Sequence, residues 1–169
     1  MTAASKAGLV PSLDPKAATP SSADQPGTVA STNPSGGNLD QGKPITITCY
    51  GQLPDIPGPS SAPQLMQNGQ VVATVVAGST VTVNWAAFTC PSGTGTLSGY
   101  TLNVTGGTLS NGTQTSNFDP GTRTAQLTVA NQPGGTVTAS YLALCSGSAG
   151  QRESGSSPKV QASIHSCGT

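Results

Sequence analysis

Charge is what this 169-residue chain has least of. Six basic and six acidic residues make up 7% of it and sum to zero, against about 25% in ordinary globular proteins. No Lys/Arg cluster occurs, so the electrostatic footprint of a nucleic-acid or anionic-membrane partner is missing. Aromatic residues are also sparse, at 4%. No uninterrupted apolar run approaches the roughly 20 residues of a membrane helix. There is a single histidine, His165, and no G-x-S-x-G, H-E-x-x-H or P-loop pattern. A general acid or base needs a tunable group in a cleft, and no two carboxylates lie close in sequence. Asp14, Asp24, Asp40 and Asp55 are isolated rather than spaced as a calcium loop. His165 and Cys167 lack further ligands at zinc spacing. The expectation is a non-enzymatic protein with no catalytic residues, no metal and no cofactor.

A chain this poor in charge keeps its surface wet with Ser, Thr, Asn, Gln and Gly, which suits a crowded exterior because neutral groups attract few stray polyelectrolytes. Met1 to Leu13 contains Lys6 but no apolar core before Pro11, so no secretory signal is expected there. An exterior-looking protein without export fits release by cell lysis, as for virion proteins. It also fits a piece of a secreted protein with an added Met.

What the chain does have is proline and glycine, unevenly placed. Residues 1–63 hold ten of the fourteen prolines, with stretches such as Ser31-Thr-Asn-Pro-Ser-Gly-Gly37 and Pro54-Asp-Ile-Pro-Gly-Pro-Ser-Ser61. Proline removes a donor and glycine costs entropy to order, so this segment is expected to be an extended arm rather than a core-forming domain. One strand-like stretch lies within it, near residues 44–50. There Ile45, Ile47 and Cys49 alternate with Thr46, Thr48 and Tyr50, the period of a half-buried strand. It can add to an edge of its own domain or to a neighbour's sheet. Ile45, Ile47, Cys49 and Tyr50 are therefore the candidate assembly anchor.

From residue 64 to 169 the pattern changes to repeated strands separated by turn signals, the spacing of a sandwich. Gln70–Ala77 reads as a first strand. Ser79–Phe88 follows, with Val81, Val83, Trp85 and Ala87 on one face. Tyr100, Leu102 and Val104 alternate with Thr101, Asn103 and Thr105. Beyond the Asp119-Pro-Gly121 turn come Ala125, Leu127 and Val129, then Val137, Ala139, Tyr141 and Ala143, and last Val160, Ala162 and Ile164. With six such strands and no convincing helix, the fold class is all-β. The expected core is Val81, Val83, Trp85, Tyr100, Leu102, Leu127 and Tyr141.

Over roughly residues 70–165 the chain resembles a fibronectin type III or immunoglobulin-like β-sandwich. The carriers are Val81-Thr-Val-Asn-Trp85, Ser98-Gly-Tyr-Thr-Leu-Asn-Val104, Thr124-Ala-Gln-Leu-Thr-Val129 and Val137-Thr-Ala-Ser-Tyr-Leu-Ala143. In the type III pattern a Trp lies on the second strand, a Tyr opens the third and another Tyr marks the sixth; Trp85, Tyr100 and Tyr141 follow that order. Type III domains usually lack a disulfide, whereas this one has Cys90 and Cys145. In antibody-type domains the corner Tyr precedes the second Cys by two residues; here the distance is four.

The resemblance implies that the second and sixth strands run the same way, which brings Cys90 and Cys145 to one pole. A bridge there would close a loop of about 55 residues and contribute roughly 4 kcal/mol. Cys90 is out of phase with Trp85, so a bulge before Pro91 would be needed. Two small buried thiols are the competing reading. A Cys49–Cys167 pair would need the arm to fold back along the last strand.

The resemblance also implies function only loosely, because this sandwich hosts many unrelated roles. Immunoglobulin-like domains recur on tailed-phage heads and tails. The leading expectation is a virion structural protein of the capsid decoration or cement type, its arm anchored to capsid or tail subunits or to copies of itself and its sandwich exposed. The alternative is an adhesion or glycan-binding module of a phage tail, fibre or bacterial cell surface, using the polar loop Thr105–Asn117 for surface glycans. Neither reading calls for nucleic acid or membrane.

Overall fold

In the computed structural model, which describes residues 2–22 and 24–166, the chain divides into two compact units. One comprises Met1–Pro54 with Ser148–Gly150, the other Asp55–Gly147 with Gln151–Thr169.

The first unit is a small sheet, and this corrects the expectation of an extended arm. A five-residue helix α1 (Thr2–Lys6) precedes strand β1 (Val10–Leu13); β2 (Val29–Asn33) and β3 (Pro44–Cys49) follow. The order is β1-β3-β2. The β-branched run Ile45-Thr-Ile-Thr48 takes the centre, parallel to β1 with Leu13 opposite Ile47, and antiparallel to β2 with Thr32 opposite Ile47. Proline density did not forbid this sheet because of where the prolines fall. Pro11 lies on edge strand β1 and Pro44 opens β3, the two strand positions where a missing N–H costs little.

The second unit is two sheets around one core. Its strands are β4 (Gln64–Gln67), β5 (Gln70–Val71), β6 (Thr74–Val76), β7 (Thr80–Asn84), β8 (Thr96–Thr105), β9 (Gly107–Leu109), β10 (Thr115–Phe118), β11 (Thr124–Val129), β12 (Thr136–Gly147), β13 (Gly150–Glu153) and β14 (Val160–His165). One sheet has the order β10-β8-β12-β14-β6, with β13 also on β12; the other runs β5-β4-β7-β11-β9. Alternating residues of both sheets turn inward. Val81, Val83, Trp85, Tyr100, Leu102, Leu127 and Tyr141 are each at most 4% exposed and belong to one hydrophobic cluster.

Aromatic rings centre that cluster. Trp85 lies 6.0 Å from Tyr100, 5.3 Å from Phe118 and 6.3 Å from Tyr141 between ring centroids, all in edge-on or tilted arrangements. Such geometries set the positive ring edge against a negative face. The Tyr100 hydroxyl accepts the Phe88 N–H at 3.0 Å, and the Arg123 guanidinium sits 5.5 Å over the Tyr100 ring.

Several sequence expectations change here. Gln70–Ala77 is not one strand: β5 joins one sheet and β6 the other, where it runs parallel to β14. The expected strand Ser79–Phe88 ends at Asn84, so the alternation lapses and Ala87 is exposed. Thr105–Asn117 is not a free loop, because β9 pairs with β11 and most of β10 with β8 within it. β4, which pairs with β7, adds a strand to those expected from the sequence.

The boundary also moves, from 63/64 to 54/55. The Gly155 N–H donates to the Ile56 carbonyl at 3.0 Å, and Ile56 is only 7% exposed. A Cβ placed on Gly58 would lie 2.5 Å from the Ser156 carbonyl oxygen, so only glycine allows the two backbones to approach this closely. A fragment of residues 55–169 should therefore unfold in one cooperative transition, followed by the fluorescence of Trp85. A fragment of 64–169, lacking Ile56, should be about 2 kcal/mol less stable. Equal stabilities would place the boundary back at 63.

Candidate functional site

The anchor residues sit on the first unit's central strand. Ile47 is buried at 7% exposure, while Ile45, Cys49 and Tyr50 are half-buried. Because β1 and β2 occupy both sides of β3, the backbone of Ile45–Cys49 has no edge to offer another sheet. Tyr50, one residue on, bridges to Ala18 and donates its N–H to the Thr28 carbonyl at 2.8 Å. Pairing of this segment with a foreign sheet is thus overturned.

The open edges are β1 and β2, each with one side unpartnered by any strand among the described residues. Val10 and Asp14 donate their N–H groups to the carbonyls of Lys43 and Ile47, at 3.0 and 2.9 Å. By strand alternation Pro11 and Leu13 turn their backbones outward, so proline blunts the β1 edge and the β2 edge keeps its donors. Val10, Leu13 and Val29 on these two strands are 54–56% exposed. The fourth exposed large hydrophobic among the described residues, Val71 at 60%, is also on an edge strand, β5.

Beside β3 lies a cavity of about 410 Å³, lined by residues including Leu9, Thr32, Pro34, Leu39 and Ile45, and none of its lining side chains is titratable. It can hold an apolar group but has nothing with which to transfer a proton. Of the unit's carboxylates, Asp24 accepts the Ser22 hydroxyl, and Asp14 is held by two donors. Its carboxylate accepts the Lys16 N–H at 2.9 Å and the Thr48 hydroxyl at 3.0 Å. First the Lys16 bond and then the Thr48 bond hold its pKa below the usual aspartate value.

Cys90 and Cys145 are joined by a disulfide with Cα atoms 5.9 Å apart. Cys90 lies in the irregular stretch after β7, where strand phase no longer applies, so the bridge needs no bulge before Pro91. The bulge is instead in the β8–β12 ladder: Leu144 pairs with Gly99 and Cys145 with Leu97, which leaves Ser98 as the extra residue. Cys145 is fully buried. Cys49 is a free thiol, and its expected partner Cys167 lies outside the described residues. His165 is exposed at the end of β14.

Among the described residues no three His, Cys, Asp or Glu side chains come together as metal ligands, and no helix is long and apolar enough to cross a membrane. No protein-family model matches the chain, and comparison with curated proteins finds no relative.

Two measurements follow from these sites. Non-reducing peptide mapping should recover Cys90 joined to Cys145, and the double Cys→Ala variant should lose roughly 4 kcal/mol, the loop-entropy value for this separation. Either cysteine found joined to Cys49 or Cys167 would refute the pairing. Asp14 should titrate below an ordinary aspartate in carboxyl-detected NMR, and Thr48→Val should raise its pKa. Asp14 stabilises the first unit above the unfolded aspartate pKa, and that contribution disappears as pH falls through its lower folded pKa. An ordinary titration of wild-type Asp14 would mean that the two bonds are not held in solution.

Proposed function

We propose that this chain is a non-enzymatic virion structural protein of the decoration type, attached to neighbouring subunits through residues 1–54 and carrying an immunoglobulin-like sandwich as its exposed domain. The observation that carries the attachment reading is the imbalance of the first unit. Among the described residues it contributes only Ile47 to the buried hydrophobic core, yet three of the four exposed large hydrophobics. A three-stranded sheet with so little core gains little from its own packing. Its open edges are templates for a further strand, with main-chain hydrogen bonds supplying affinity and exposed side chains supplying specificity.

The near absence of charge supports the same mode, since a strand-addition contact needs no electrostatic steering. The immunoglobulin-like reading of the second unit is supported by the assignment of β7 and β8, and of β11 and β12, to opposite sheets. The parallel β6–β14 pair and the contact of Trp85 with both tyrosines add to it.

The direct test is a density gradient of lysate from cells that make the protein. Wild-type chain should migrate with intact particles at fixed stoichiometry. A Val10→Asp, Leu13→Asp, Val29→Asp variant should lose at least about tenfold in occupancy, since each buried aliphatic side chain is worth roughly 1.5–3 kcal/mol. Its Trp85 unfolding transition should be unchanged. Wild-type chain remaining at the top of the gradient would sink the virion reading, and a fully occupied variant would move the anchor elsewhere.

A further inference from the structure

A depression lies on the outer face of the larger sheet beside the bulge at Ser98, where Leu144 stands opposite Gly99. Tyr100 points into the core, so its neighbour Gly99 belongs to the outer face. Leu144 and Asn117 share that face, because Ala143, Cys145 and Phe118 turn toward the inner layer. A Cβ on Gly99 would lie 2.7 Å from the Phe118 carbonyl oxygen and 3.6 Å from Leu144 Cδ1. Glycine is therefore required here, because it lets the Phe118 backbone approach this closely. Beside it lies a cavity of about 330 Å³ whose rim includes Asn117, Asp119, Thr122 and Gln151 and whose wall includes Leu144. Bulges commonly interrupt ladders beside functional sites, where they re-aim side chains.

The rim has open hydrogen-bonding capacity. Asn117 uses its Oδ1 to accept the Thr101 hydroxyl at 2.8 Å, which leaves its amide N–H groups to donate. Gln151 uses its Nε2 to donate to Ser98 Oγ at 3.0 Å, which leaves its carbonyl to accept. The Asp119 backbone carbonyl takes the Thr122 N–H at 3.0 Å, while its carboxylate has no hydrogen bond to any described residue. A carboxylate, an amide acceptor, an amide donor and a hydroxyl thus converge on one apolar side chain. No lysine or arginine lines the cavity, so an anion would find no countercharge.

We infer that this depression is a subsite for one neutral sugar ring. The hydroxyls of a vicinal diol donate to Asp119 and Gln151, the Asn117 amide donates to a sugar oxygen, and the C–H face of the ring lies against Leu144. The cavity is at the lower end of the roughly 300–1,000 Å³ typical of small-molecule sites, as a single ring requires. A basic peptide side chain is the rival occupant. It would use the Asp119 charge but leave the Gln151 carbonyl, the Asn117 amide and the apolar wall without purpose. The assignment is independent of attachment through residues 1–54, so either can fail alone.

The test is a titration of the full, isotope-labelled chain with maltose, cellobiose, lactose and chitobiose separately, and with N-acetyl-lysine amide, read by amide NMR. At least one sugar should shift the amides of Gly99, Asn117, Asp119, Thr122 and Gln151 saturably, with a Kd of ~1–10 mM as befits one small, exposed subsite. Asp119→Ala and Gln151→Ala should each weaken that binding at least about tenfold, with unfolding unchanged because both side chains are exposed. Asp119→Asn should retain part of it, since an acceptor oxygen remains. The inference is overturned if none of the four sugars moves these amides, if only the lysine derivative does, or if the alanine variants bind as wild type.

Discussion

Most of the second unit depends on one strand finding hydrogen-bond partners along both of its sides. β12, Thr136–Gly147, is the longest strand described and is buried along most of its length. A buried backbone group without a partner costs about 1–3 kcal/mol, so this strand dictates what must lie beside it. On one side β8 supplies a ladder from Thr138 to Ser146. On the other, β14 reaches only as far as Ala139. Between β14 and the further partner β13, two buried serines stand in for a strand. Ser157 Oγ accepts the Tyr141 N–H at 3.0 Å and Ser154 Oγ accepts the Ala143 N–H at 2.9 Å, while their own N–H groups return to the same residues' carbonyls at 2.8 Å. Ser154 and Ser157 are therefore part of the core despite their polar side chains, while Gly155 and Ser156 between them are exposed.

The two units solve the problem of low charge differently. The second places nearly all its large apolar side chains in one cluster and presents Thr, Asn, Gln and Ser outward, where they bond one another across strands, as Thr105 does with Thr138 at 2.7 Å and Thr115 with Asn103 at 2.8 Å. The first has no comparable cluster. Its order comes from the ladders of β3 and from short-range caps such as Asp14, and Val10, Leu13 and Val29 are left exposed on its edge strands.

Much of the second unit was legible in the residues. Val81, Val83, Leu102, Leu127 and Tyr141 lie in period-2 runs of β-branched and aromatic residues, and each such run became a strand with those side chains inward. Strands that lack the pattern were not legible. β9 is Gly-Thr-Leu and β10 is Thr-Ser-Asn-Phe; neither is apolar enough to stand out, and each exists because a longer strand beside it needs a partner. β1 and β2 are illegible for the same reason, beneath a proline and glycine content that reads as extended chain.

Alternation is a local property, since successive side chains of a strand point to opposite faces wherever the strand is placed. The all-β class, the core positions and the approximate strands of the sandwich follow from it alone. Which strands are neighbours depends instead on unpaired backbone groups meeting across long stretches of chain. That non-local pairing decided the split of Gln70–Ala77 between sheets, the central place of Ile45–Cys49 and the boundary at residue 54. It also decided where Ser98 bulges, and the presence of a depression beside Gly99 that no short stretch of the chain announces.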